Sequence, residues 1–294
     1  MTQTDTQNRN NGMAYAIAAY LIWGLLPLYL RQVHDVPPFE FVGWRTLFTL
    51  PACALAIIVL RQGAALRAAL EDRRKVLALA ASALLIGANW TTYVVMIQRG
   101  HIFAASLGYY INPLMNVVLG TLLLGEKLNR AQWAAVGLAA AGVIILATGA
   151  AETLGWSLGL AATFSGYGLV RKKAPVPALP GLSIEAGLLA LPAVAMIALG
   201  HGPEGITLGH GRGWHDMLVA LSGVVTAVPL VLFAMAAQRM NYSILGFVQF
   251  LAPTLVFFQG LLLFHEPLQS AQLGAFVLIW AALVVFSWDM WRRR

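Results

Sequence analysis

Apolar residues dominate ten stretches of this chain, each close to the roughly 20 residues that a helix needs to cross a bilayer. Taken between charges, prolines and glycines, they predict helices over 13–30, 39–60, 76–97, 103–124, 130–149, 153–170, 181–200, 215–237, 242–264 and 268–289. The residues that punctuate these stretches repeat. The segment from Ser106 to Gln132 has a second copy from Gly246 to Gln272, at an offset of 140 residues. Pro113 falls on Pro253, Gly120 on Gly260, Leu122 and Leu123 on Leu262 and Leu263, Glu126 on Glu266, Leu128 on Leu268, and Ala131-Gln132 on Ala271-Gln272. The same register carries Gln98-Arg99 onto Gln238-Arg239 and Arg31 onto Arg171. One gapless offset marks a duplicated fold, and internal symmetry in an apolar chain points first to a transporter. The expected architecture is an all-α integral membrane protein of ten transmembrane helices in two inverted five-helix repeats. A cytosolic tail covers 1–12, the first repeat 13–149, the second 150–290 and a basic cytosolic tail 291–294. Five crossings per copy is an odd number, so the second copy must enter the membrane upside down.

Composition agrees. Of the 294 residues, 59% are hydrophobic and 11% charged, where a soluble domain carries about 25% charge. Mean hydropathy is +0.73. The net charge of +7 does not imply nucleic acid, because the basic residues sit in short clusters between apolar runs, where they read as topology signals. A cytosolic N-terminus places Arg9, Arg61, Arg67, Arg73, Arg74, Lys75, Lys127, Arg130, Arg171, Lys172, Lys173, Arg239, Arg292, Arg293 and Arg294 inside, and Arg31, Arg99 and Arg212 outside. That is fifteen against three, with Arg45 left inside a span; both chain ends are expected in the cytosol. Met1 to Asn11 is too polar for a signal peptide, so the first span is expected to be retained. The basic connection from Ala64 to Lys75 suits a short surface helix. The segment from His201 to Trp214 is expected to be a mobile outside loop. Its His201 and His210, with His215, share no spacing that would aim them at a metal. A single cysteine, Cys53, excludes an internal disulfide.

No nucleophile elbow, phosphate loop or metal-spaced His and acid pair is present, so neither an enzyme nor a cofactor is expected. The acids lie in the tail, in loops or at helix ends, apart from Glu185, which shares the interior of the spans with Arg45. These two are one offset apart and carry opposite charge, a candidate pair of gates or orientation anchors alongside plain helix-end packing. Neutral polar and aromatic residues lie deeper. Asn89 and Tyr93 share one face of the third helix with Trp90 beside them, and Trp23, Tyr110, Asn112, Tyr167, Gln249 and Phe250 occupy other spans. Singly, each is as well explained as helix glue. Together they describe a cavity for a small molecule with an apolar body and a few polar groups. Among the prolines inside spans, Pro27, Pro113 and Pro253 are candidate hinges, the last two symmetry related.

The runs AAYLIWGLLPLYLR, IGANW, ASLGYYINPLMNVVLG with LGEKL, GLVRKK, and ILGFVQFLAPT with FHEPL resemble the drug/metabolite transporter superfamily, EamA type, RarD-like branch, over essentially the whole chain. The resemblance implies ten spans in two inverted copies, a bacterial inner membrane, and export of small metabolites, amino acids included. It relates the chain to aromatic amino-acid exporters of the YddG type. The first span lacks the acid of the small multidrug relatives, and the buried Lys and Arg of sugar-phosphate carriers are not found. The expected function is outward transport, by alternating access, of aromatic and other apolar amino acids and similar neutral metabolites, down their gradient. The alternative is proton-coupled efflux of drugs such as amphenicols, with Glu185 titrating. A monomer suffices, since the duplicated chain holds both halves of its pseudo-dimer.

Overall fold

Twelve α-helices make up the computed structural model, which describes residues 3–148, 151–203, 205–209, 213–265 and 270–292. They are α1 (Gln3–Leu30), α2 (Pro38–Val59), α3 (Gly63–Leu70), α4 (Arg73–Gln98), α5 (Ile102–Leu124), α6 (Arg130–Thr148), α7 (Leu154–Lys173), α8 (Ala178–Gly200), α9 (Gly213–Arg239), α10 (Tyr242–Gln249), α11 (Leu251–Leu262) and α12 (Ser270–Arg292). There is no strand among the described residues. Nine of the helical segments are long and apolar enough to cross a membrane; the second-last of them joins α10 and α11. Large apolar side chains stand bare on the outer faces, Leu191 at 79% and Leu199 at 87% exposure, a surface that suits lipid and not water. The chain is an all-α membrane protein.

Helix α7, the remaining expected span, falls short in apolar content because it ends in Arg171-Lys172-Lys173, yet its 20 residues cover about 30 Å and it packs on α4, α5 and α9. Helix α1 starts at Gln3, well before residue 13, so the stretch expected as a tail continues the first span as helix. The expected ninth helix is two, parted at Phe250. Pro253 has no N–H to give the Gln249 carbonyl, and the chain turns there. Its counterpart Pro113 sits in an unbroken α5.

The connections at one end of the bundle (60–72, 125–129, 174–177 and 240–241) are flanked by helix ends that carry Arg73, Arg74, Lys75, Arg130, Arg171, Lys172, Lys173 and Arg239; this is the basic end. The short α3 lies there, as expected. Asp72 caps α4 by accepting from the Arg74 N–H at 2.9 Å and the Lys75 N–H at 3.4 Å. The Arg74 bond is the main reason its carboxyl is held below the usual range. At the opposite end the Gly- and His-rich segment is tethered. Glu40, fully buried, accepts from Trp44 Nε1 at 3.0 Å, from the Thr207 N–H at 2.7 Å and from Thr207 Oγ1 at 2.9 Å. His215 Nε2 meets Asp35 Oδ1 at 2.8 Å instead of a metal, and His210 lies outside the described residues.

Helix packing obeys the 140-residue offset. It maps α1 on α7, α2 on α8, α4 on α9, α5 on α10 with α11, and α6 on α12. The pairs α2 with α8, α6 with α12 and α5 with α10 map onto themselves, while α1 with α9 maps on α7 with α4, and α5 with α7 on α11 with α1; all of these are packed. Backbone details repeat as well: Pro37 and Pro177 precede α2 and α8, and Gly125 and His265 both take left-handed φ, 66° and 53°. Two pairs depart from the rule. Helices α5 and α6 pack closely, whereas their counterparts α11 and α12 meet through side chains such as Phe258 and Trp280. Helices α7 and α9 pack together, whereas their counterparts α1 and α4 make next to no contact.

Candidate functional site

The basic end is sealed by a buried ion pair. Arg171 on α7 is 0% exposed and Glu185 on α8 is 1% exposed, with Nη1 and Oε1 3.5 Å apart. Charges taken out of water persist when each meets a partner and further hydrogen bonds. Here Ser82 on α4 donates to Glu185 Oε1, Tyr167 donates to Oε2 at 3.5 Å, and Arg171 Nη2 donates to the Ala178 carbonyl at 2.9 Å. Gly181 makes room for this, since a Cβ there would run into the Arg171 guanidinium. Two more clamps join α7 to α9. Lys172 Nζ reaches the Ala237 and Met240 carbonyls at 3.0 and 2.6 Å, where the end of a helix is electronegative, and Gln238 Nε2 donates to the Arg171 and Val176 carbonyls at 3.3 and 2.9 Å.

At the opposite end the equivalent space is a vestibule. Arg45 on α2 donates from Nε to Thr226 Oγ1 on α9 at 3.1 Å, and its guanidinium lies 4.6 Å from the centre of the Trp90 ring on α4. The phenols of Tyr109, Tyr29 and Tyr93 lie near it. Tyr29 donates to the Leu218 carbonyl at 2.8 Å, and the Tyr93 and Tyr109 rings are 5.9 Å apart. Arg45, Trp90 and Tyr93 are half-buried, and Tyr109 keeps 39% of its surface exposed. Between vestibule and seal lies a pocket of about 10 Å³, room for about one water, whose lining includes Trp90 on one side and Tyr167 and Glu185 on the other. A larger concavity, about 420 Å³, is a shallow groove on the rim of α4 and α7 around Gly155, Trp156 and Gly159; it shares no residue with the vestibule.

The structure divides the expected site residues. Trp90, Tyr93 and Arg45 come together in the vestibule, and Tyr167 and Glu185 in the seal. Trp23 packs against Tyr20, Phe164 and Phe233 at 5.6 to 5.7 Å in the core between them. The amides lie elsewhere, spent on helix contacts. Asn89 donates to the Leu160 carbonyl and to Thr163 Oγ1 on α7, Asn112 accepts from Ser165, and Gln249 accepts from Asn116 and Tyr20. Tyr110 points away from the vestibule, edge-on to Phe276 of α12 at 5.5 Å; its neighbour Tyr109 takes the place expected of it. Phe250 is buried at the helix break and Pro253 with it, Pro113 contacts Gly246 closely, and Pro27 lies near the end of α1. Arg171, counted by sequence as a topology charge, proves to be fully buried, and Glu126, counted by sequence as a helix-end acid, proves to be a cap. That carboxylate accepts from the Tyr242 and Ser243 N–H groups at 2.6 and 2.8 Å and caps α10. The signal for both was present in the offset, which pairs Arg171 with Arg31 and Glu126 with Glu266. Glu266 lies outside the described residues.

The EamA-like transporter family model matches residues 10–148. The chain is 45% identical to an uncharacterized transporter of Pseudomonas aeruginosa, over 98% of this chain and 96% of that one. It is 40% identical to protein RarD of Streptomyces exfoliatus (97% and 90%) and 36% identical to protein RarD of Escherichia coli (97% and 96%). A solved crystal structure superposes with a TM-score of 0.74 at 21% identity over 94% of this chain and 97% of that chain, a likeness of fold alone.

Proposed function

Because the chain belongs to the EamA-like transporter family, in the RarD-like branch of the drug/metabolite transporter superfamily, and is a multi-pass membrane transporter, we propose that it carries aromatic and other apolar amino acids, and similar small metabolites, outward by alternating access. In this reading residues 13–149 and 150–290 are two inverted repeats in a bacterial inner membrane with both chain ends in the cytosol. The arrangement described above is then the outward-open form, and one chain suffices. The observation that carries the reading is a broken symmetry between the two ends: α7 and α9 are clamped shut at the basic end while α1 and α4 stand apart at the other. Two equivalent gates in opposite states are what a carrier needs, whereas a channel would open both. Aromatic rings around the vestibule suit a cargo with a planar or apolar body. Among the described residues the one acid on the path, Glu185, is held by Arg171, which favours flow down the cargo gradient over exchange for protons. The test is counterflow of labelled phenylalanine, tyrosine, tryptophan and leucine in liposomes holding the purified protein. Saturable exchange of at least one is expected; transport of drugs with none of the amino acids removes the reading.

A further inference from the structure

The offset that makes the two gates alike in shape makes them opposite in charge. At the sealed end Arg171 pairs with Glu185. One offset earlier these positions hold Arg31 and Arg45, two cations, so the ion pair of the sealed end has no equivalent at these positions of the vestibule end. Arg31 lies exposed, 5.1 Å from the Phe264 ring. Arg45 is inside. Its Nε is bonded to Thr226 and one face is covered by Trp90, while its two terminal nitrogens make no hydrogen bond to protein among the described residues. No carboxylate is paired with it among those residues either; the titratable groups near it are three phenols. The nearest acid in sequence, Glu40, spends both oxygens on Trp44 and Thr207. A charged side chain at this depth of a membrane protein is costly and calls for a counter-ion. A planar guanidinium held by its Nε, with its terminal nitrogens uncommitted, is shaped to take a carboxylate through two parallel hydrogen bonds.

We propose that Arg45 is the anion subsite of the vestibule and that its ligand is a monocarboxylate with an aromatic or apolar body, the carboxylate lying on the guanidinium and the body among Trp90, Tyr93 and Tyr109. None of the described residues supplies the vestibule with a carboxylate for an ammonium group, so the α-amine of an amino acid is dispensable: an aryl-alkanoic acid is as good a ligand as the amino acid of the same skeleton. This rests on the transport reading for its biological sense but is tested apart from it, by binding.

The probes are 3-phenylpropionate, phenylalanine and phenylalaninamide, titrated against the purified full chain in lipid nanodiscs, with affinity read from intrinsic tryptophan fluorescence and thermal shift. The first two are expected to bind alike and the amide, a cation beside Arg45, about tenfold or more weakly. Arg45→Gln should abolish the difference and Arg45→Lys keep part of it. Equal binding of acid and amide by the native protein, a preference for phenylalanine of about tenfold over 3-phenylpropionate, unchanged discrimination in Arg45→Gln, or no binding of any probe would each overturn the proposal. If Arg45→Gln does not fold, the native series decides alone. Selective binding of the acids without counterflow would sink the transport reading and leave the subsite standing; counterflow that treats acid and amide alike would do the reverse.

Discussion

Residue by residue, the path from vestibule to seal is a contest between burial and charge, and Glu185 shows how it is resolved. Its carboxylate meets Arg171, Ser82 and Tyr167, while Arg171 still has an Nε with no hydrogen-bond partner. A buried ion pair is weak evidence of stability, but removing one member strands the other. Glu185→Gln is therefore expected to destabilise the protein by about 3 kcal/mol or more, seen as a lower melting temperature in detergent. The double variant Glu185→Leu with Arg171→Met should recover most of the loss. An unchanged melting temperature in Glu185→Gln would show that the pair does not hold the seal. Sequence named Glu185 and Arg45 because few charges interrupt the apolar runs. It did not reveal that Arg171 turns inward, since a basic triplet at a helix end looks the same whether its first member faces headgroups or a carboxylate on the next helix. For the same reason Asn89, Asn112 and Gln249 passed as ligand groups: a polar side chain in a span must bond something, and only geometry says whether that is cargo or a neighbouring helix.

Among the elements, the repeated Gly-x5-Glu skeleton has a structural meaning. After α5, Gly125 adopts a left-handed φ of 66° and the chain folds back, so that Glu126 covers Gly120 and reaches the start of α10. A Cβ on Gly120 would lie 2.7 Å from Glu126 Oε2 and 2.6 Å from Ser243 Oγ, which accounts for the glycine. The carboxylate takes the place of a side-chain cap that Asn241 does not provide. Glu126→Ala leaves two N–H groups of α10 without partners and is expected to cost about 1 to 2 kcal/mol. Faster amide exchange at Tyr242 and Ser243 than at the middle of α9 is the corresponding local sign, and equal protection in variant and native protein would rule the cap out. The offset picked out Gly120 and Glu126 from sequence alone, but not Gly125, Tyr242 or Ser243, which fall on unlike residues in the other copy. The break at Phe250 was legible only in part: Pro253 warned of it, but Pro113 carries the same warning inside an unbroken helix. A proline removes one hydrogen bond, and the packing around it decides whether the helix bends or parts.

At the scale of the molecule, symmetry allows the other state to be written down. The all-α membrane class and the order of the spans were readable because bilayer thickness constrains them, although ten helices were expected and the described residues form twelve, nine segments of which qualify as spans; which end is closed was not, since both halves carry the same kind of sequence. The clamps at the basic end run from Gln238 to the Arg171 and Val176 carbonyls and from Lys172 to the Ala237 and Met240 carbonyls. Subtracting 140 gives Gln98 to the Arg31 and Val36 carbonyls and Gln32 to the Ile97 and Gly100 carbonyls. In a carrier that alternates, those are the contacts that close α1 on α4 when α7 parts from α9. Spin labels at Gln98 and Val36, and in a second sample at Gln238 and Val176, with the native Cys53 replaced, report each gate. The pair across the opposite end should shorten under the conditions that lengthen the pair across the basic end, and a saturating carboxylate ligand should shift the balance between the two distances. Gates that open and close together would remove alternating access. An exchange of distances that proceeds unchanged without ligand and with Arg45→Gln would instead leave the motion intact and take from the bound anion its part in closing the vestibule, where Arg31 and Arg45 pair with no acid among the described residues.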